Sequence, residues 1–145
     1  MEEGGGHVRV RRMTEADIKS VKEIDRELAG PGRLASWPLR IESHWWVYQG
    51  LSNYVAEVDG EVIGFLLGDI RGAAFGTEAS GWIDIIGVLP RYQGKGIGRS
   101  LVEAFSDECR REGMKVRVIL ASDRRLAQFW KSMGFSRGRL VCFEK

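Results

Sequence analysis

At 145 residues, 43% hydrophobic and 29% charged, the chain has the size and make-up of one globular domain with a real core. Its formal net charge of +2 is too small to argue for a nucleic-acid partner, and no apolar run approaches the length of a membrane span. Cys109 and Cys142 show no metal-ligand spacing, and Glu2, Glu3 and Gly4-Gly5-Gly6 are the reverse of a signal peptide, so no metal, no membrane and a cytoplasmic location with reduced thiols are expected.

Residues 1–6 are expected to be disordered, and the remainder to form a single domain. Val8-Arg9-Val10-Arg11 alternates like an edge strand. Thr14, with Asp17 three residues on, approximates a capping box for a helix whose stripe is Ile18, Val21, Ile24 and Leu28. Gly30-Pro31-Gly32 ends it, and a short second helix is expected near 39–48, with Trp45 or Trp46 packing into the core and a bland role for His44. Residues 53–58 and 62–70 read as strands joined by Asp59-Gly60, a hairpin signal. A loop over 72–81 leads into the apolar run 82–89, a buried strand that Pro90 must end.

Gln93-Gly94-Lys95-Gly96-Ile97-Gly98-Arg99 follows at once, and then Ile97, Leu101, Phe105 and Cys109 recur every four residues as one helix face, stopped by Gly113. Strand, glycine turn and helix make an anion site. The first N–H groups of a helix lack internal partners, its dipole adds positive potential, and glycines let the main chain approach a phosphate. Arg91, Lys95, Arg99 and Lys131 supply nearby positive charge. The spacing is neither a nucleotide P-loop nor a Rossmann fingerprint, because position 99 is arginine. Beyond the helix, Val116, Val118 and Leu120 alternate as a strand, Leu126, Phe129, Trp130 and Met133 form a helix face ended by Gly134, and 139–143 reads as a last strand.

The string from Val88-Leu89-Pro90 through the glycine turn, with Phe129-Trp130-Lys131-Ser132-Met133-Gly134-Phe135, resembles the GNAT superfamily of acyl-CoA-dependent N-acetyltransferases. The resemblance is close over the C-terminal half and rests on element order in the N-terminal half. It implies an α+β fold with a mixed, mostly antiparallel central sheet, splayed at the acyl-CoA site and flanked by helices on both faces. It also implies acetyl-CoA as cosubstrate and a primary amine as acceptor, a small molecule or a protein N-terminus or lysine. A homodimer is a possible assembly. The implied cofactor-binding residues are Ile86, Gly87, Val88, Gln93, Gly94, Lys95, Gly96, Ile97, Gly98, Arg99, Asp123 and Trp130, with the pantetheine arm pairing to the main chain near Ile86 and Val88.

Gly87 suits a bulge or splay at the strand's end, the alternative being close packing of a helix. The N–H of Val88 is the expected oxyanion donor. By the period of two, Trp82, Asp84, Ile86 and Val88 share a face, which makes Asp84 the first candidate for the base that takes the amine's proton. The competing role for Asp84 is a structural ion pair with an arginine. Glu78 is the second candidate, against an ordinary solvated loop acid. Two positions depart from the family's pattern. Trp130 stands where many members have a proton-donating tyrosine, and its indole N–H cannot supply that proton. Asp123 stands where many have an asparagine. A CoA-binding or sensing module with weak catalysis is therefore the alternative reading.

Overall fold

The computed structural model describes residues 6–32, 37–48, 52–72, 76–119 and 124–145. Expectations that fall on residues 1–5, on Leu120 or on Asp123 lie outside the described residues.

The elements follow the expected order up to the last one. Strand β1 spans Val8–Arg12, helix α1 Ile18–Ala29, helix α2 Trp37–Tyr48, strand β2 Asn53–Val58, strand β3 Glu61–Arg71, strand β4 Ser80–Val88, helix α3 Ile97–Arg111, strand β5 Lys115–Val118 and helix α4 Arg124–Ser132. Before α1 a short 3-10 turn, Glu15–Asp17, carries the anticipated capping box, in which the N–H and the hydroxyl of Thr14 both donate to Asp17 Oδ2, at 2.7 and 3.1 Å. Asp59 and Gly60 take φ of 51° and 81°, the pair of positive values that a two-residue hairpin turn requires.

The sheet runs β1-β2-β3-β4-β5, antiparallel from β1 to β4 and parallel between β4 and β5, with α3 as the crossover. The face α3 covers is paved with glycine. A Cβ on Gly68 would strike the Phe105 ring, and one on Gly81 would strike Cys109 Sγ, so the helix lies directly on the backbone. Phe105 and Leu101 are fully buried there. Phe105→Ala should leave a large cavity at that contact and cost about 3–5 kcal/mol, read as a lowered unfolding midpoint at unchanged denaturant slope.

Three local expectations change. Gly87 belongs to helix packing rather than to a bulge: a Cβ there would meet Leu28 Cδ1 of α1 at 2.7 Å and the Phe65 ring at 2.9 Å. Among the described residues, the β4–β5 pairing runs from Ser80 and Lys115 to Ile83 and Val118, short of Gly87. Residues 139–143 form no strand, and Val141 and Phe143 are exposed. An open groove of about 1250 Å³ lies in that region instead, lined by β5, Trp130 of α4 and the chain that follows. On α4 itself, Trp130 is buried but Leu126 is 46% exposed, so the apolar face there is narrower than the sequence spacing suggests.

Candidate acyl-transfer site

The turn between β4 and α3 has the geometry of an anion cradle. Gly94 and Gly96 hold φ of 76° and 81°, and Gly96 is the residue that caps α3 without a side chain. A Cβ at either would meet nothing within 4 Å, so the approach from outside is clear. Among the described residues no hydrogen bond ends on the N–H groups of Gly94, Lys95, Gly96, Ile97, Gly98 or Arg99. These are the orphan donors of a helix start. The side chains gather less than expected. Arg91 is tied to Glu61 at 3.1 Å, Arg99 donates to Ser132 Oγ at 3.0 Å, and Lys95 sits over the Tyr92 ring. Lys131 lines the groove beyond α4. The turn's anion-binding capacity therefore rests chiefly on its main chain.

Beside the turn, the end of β4 has no partner strand among the described residues on the side away from β3. Leu89 N–H donates to Ile63 O at 2.9 Å, and antiparallel pairs alternate between bonded and non-bonded positions. Gly87 and Ile85 are therefore bonded to β3, while the N–H and C=O groups of Ile86 and Val88 point to the other side. Among the described residues, β5 pairs with β4 on that side only as far as Ile83. Gln93 donates from its amide to Val88 O at 2.9 Å, which ties the turn to the end of this edge. An extended, amide-bearing arm leading from the turn along β4 would find the donors and acceptors that β5 does not use. The cradle and the edge thus fit a pyrophosphate joined to a pantetheine arm.

Between Ile83 and Ile85 the register slips, with Gly68 opposite Ile83 and Leu67 opposite Ile85, so Asp84 is the extra residue of a β-bulge. The period of two breaks at this point. Trp82 lies opposite Asp69, whereas Ile86 and Val88 lie opposite Leu66 and Gly64 on the α3 side. The expected shared face of Trp82, Asp84, Ile86 and Val88 is not formed, because a bulge reverses the facing of everything past it.

The bulge delivers the Asp84 carboxylate into a charged cluster. Arg71 donates to Asp84 Oδ1 at 2.9 Å and from Nε to Asp69 Oδ2 at 2.9 Å. Its guanidinium carbon lies 4.8 Å from the centre of the Trp82 ring. His44 Nδ1 faces Asp84 Oδ2 at 3.9 Å. Burial pushes the Asp84 carboxyl above the usual carboxylate range, against the pull of Arg71 and His44, with Asp69 adding to the rise. Glu78 is not part of this cluster. It pairs with Lys115 at 3.5 Å and Arg117 at 3.8 Å, and a hydrogen bond from its own backbone followed by Lys115 holds its carboxyl low. It precedes β4, roughly 25–30 Å along the strand from Val88 at about 3.3 Å per residue. Trp130 is 5% exposed and lies edge-on between Phe129 and Phe135, at 5.2 and 5.1 Å.

The sequence profile of the Acetyltransferase (GNAT) family matches residues 18–135. The chain belongs to the GNAT acetyltransferase family. It is 30% identical over 110 residues to a mycothiol acetyltransferase of Renibacterium salmoninarum, an alignment that covers 74% of this chain and 32% of that one. The chain thus spans about a third of the length of that relative. It is 27% identical over 138 residues to an uncharacterized N-acetyltransferase of Methanocaldococcus jannaschii, covering 91% of this chain and 80% of that one. Among solved structures it is similar to AAC(6')-Iy in complex with a CoA bisubstrate analog, with TM-score 0.76, 19% identity and coverage of 96% and 98% of the two chains. At that identity the likeness is one of GNAT fold. The residues that sequence reasoning missed are Arg71, Asp69 and His44. Nothing local marks them, because β3 and α2 bring them to Asp84 from 13 to 40 residues away.

Proposed function

We propose that this GNAT domain transfers an acetyl group from acetyl-CoA to a primary amine by direct nucleophilic attack. The observation that carries the reading is continuity: N–H groups at residues 94–99 without a partner among the described residues lead into a stretch of β4 that has no partner strand there on its second side, which leads to a bulged carboxylate. The turn would hold the pyrophosphate and the edge the pantetheine arm. Of the two outward N–H groups, that of Ile86 is the nearer to Asp84, by roughly 7 Å of strand. We therefore assign the oxyanion to Ile86 and the arm to Val88, in place of the Val88 oxyanion expected from sequence. Asp84 serves as the base, and its raised carboxyl suits it to that role better than the lowered Glu78. The acceptor class is an amine-bearing small molecule or a protein amine. The aminoglycoside and mycothiol acetyltransferases among the similar proteins favour amino-sugar chemistry as the first to try.

The test is a panel of an aminoglycoside, an amino sugar, a polyamine and a lysine peptide, assayed by thiol release from acetyl-CoA. Calorimetry with CoA runs alongside. Turnover on any amine supports the reading. Tight CoA binding with no turnover across a broad panel would instead favour the binding or sensing module that Trp130 in place of tyrosine suggests.

Neither cysteine is placed to carry the acetyl group. Cys109 is buried under α3 and its thiol is pushed up to about 11, by burial first and then by Glu108. Cys142 lies in the exposed C-terminal stretch. A Cys109→Ala, Cys142→Ala double variant should keep its turnover, and mass spectrometry that trapped an acetyl-cysteine on the reaction path would refute direct transfer.

A further inference from the structure

Arg71 is held on three sides. Its Nε donates at 2.9 Å to Asp69 Oδ2, two residues back on the same strand, and one terminal nitrogen donates at 2.9 Å to Asp84 Oδ1. Its guanidinium carbon stands 4.8 Å from the centre of the Trp82 ring, within cation–π range. The Asp69 side chain is only 8% exposed, so the inner anchor is buried, while the Asp84 side chain at the outer end is 27% exposed. A guanidinium is a rigid planar fork, and one with two prongs engaged and a face covered has little freedom to turn. Asp84 needs such an anchor. As the extra residue of the bulge it has no residue opposite it in β3 whose ladder bonds would fix it. The fork makes the two carboxylate oxygens unequal. Oδ1 accepts from Arg71, whereas among the described residues no hydrogen bond reaches Oδ2, and His44 Nδ1 stands 3.9 Å from it.

We propose that Arg71 is a positioning residue: buttressed by Asp69 and Trp82, it pins Asp84 Oδ1 so that Oδ2 is the oxygen presented to the acceptor amine. This rests on the acetyl-transfer reading above and deepens it, by naming the oxygen that takes the proton and the group that aims it. The charge of Arg71 has a second effect. Burial pushes the Asp84 carboxyl up, Arg71 and then His44 pull it down, and Asp69 adds to the rise. Among the described residues these are the titratable and charged groups that face it, from β3 and α2. Removing Arg71 leaves burial less opposed, so the carboxyl must rise further.

Arg71→Gln removes both the fork and the charge. The expected result is a fall of about 10²-fold in kcat, the cost of a misaimed group, with CoA affinity and the KM for acetyl-CoA at wild-type values. The Asp84 carboxyl, followed by NMR in ¹³C-aspartate-labelled protein, should titrate at a higher pH than in the wild type. Arg71→Lys keeps the charge and loses the fork, so it should restore most of the titration and little of kcat. Groups acting as a unit are non-additive, so Arg71→Gln added to Asp84→Asn should cost no further turnover. Wild-type kcat or an unmoved titration in a folded Arg71→Gln, or losses that multiply in the double variant, would overturn the assignment and leave Arg71 a tie between β3 and β4. A further measurement needs no substitution of Arg71. In ¹⁵N-arginine-labelled wild-type protein the two terminal nitrogens of a pinned guanidinium should give separate signals, which merge in Asp84→Asn. Merged signals in the wild type would sink the proposal. A raised Asp84 titration in Arg71→Gln without turnover of the wild type on any amine would keep the hold on Asp84 and refute the acetyl-transfer reading.

Discussion

Asp84→Asn is expected to lower turnover by about 10²–10⁴-fold at neutral pH, the usual worth of general-base help, and to recover part of that loss at high pH, where the amine deprotonates itself. The substitution keeps the shape of the bulged side chain and removes its charge. CoA affinity should hold, because the carboxylate lies on the β4 bulge, four residues short of the strand's end and not in the 94–99 turn. Stability gives an independent sign. Burial raises the Asp84 carboxyl in the folded protein, so the group stabilises the fold at acid pH, below its unfolded range, and that contribution is lost as pH rises through the raised folded value. At neutral pH the charge is therefore a burden, and the asparagine variant should melt at or above the wild-type temperature. The Arg71 pairing opposes this, since Arg71 would keep only Asp69. A lowered melting temperature with weakened CoA binding would make Asp84 a structural ion-pair partner. Unchanged turnover on an identified amine would move the role to Glu78 or to water alone.

The second large effect belongs to Gly96. At φ of 81° it caps α3, in a region that a β-branched residue essentially never occupies. Its Cβ position is open to the outside, so a valine side chain would stand where an anion must come. Gly96→Val should cost stability of about 1–2 kcal/mol through the left-handed backbone and shift the CoA dissociation constant by about 10²-fold or more. That figure corresponds to losing two hydrogen bonds to charged groups at about 1.5–3 kcal/mol each, with 1.4 kcal/mol per tenfold. Wild-type affinity in a folded Gly96→Val would remove the turn from the cofactor site. In the unmodified protein, affinity should also fall with added salt, because an exposed ionic contact is screened within about 10 Å at 0.1 M.

The features legible in the sequence are those whose cause is local. Four-residue spacing of Ile97, Leu101, Phe105 and Cys109 forces one helix face, and all four are buried in the structure. Asp59-Gly60 forces a hairpin because few residues accept two successive positive φ values. Gly94 and Gly96 before α3 mark a tight turn by the same restriction, and both hold positive φ. The family and its α+β order followed from these short stretches.

What the tertiary structure alone decided is which face and which neighbour each residue meets. A one-residue slip between β3 and β4 is a property of two strands, so no periodicity within β4 could show that Asp84 is bulged and that Ile86 and Val88 face α3. Gly87 reads from sequence as a splay and is instead the seat of Leu28, because helix α1 crosses the sheet there. Asp69, Arg71 and His44 reach Asp84 from another strand and another helix, by contacts across the fold that local propensity does not encode. The residues 139–143 read as a strand yet form none, because a strand needs a partner edge that the pattern within one segment cannot supply. Sequence thus determined the glycine turn proposed to hold phosphate, where the backbone acts alone, and the fold determined the charged cluster around Asp84, where side chains from distant segments must meet.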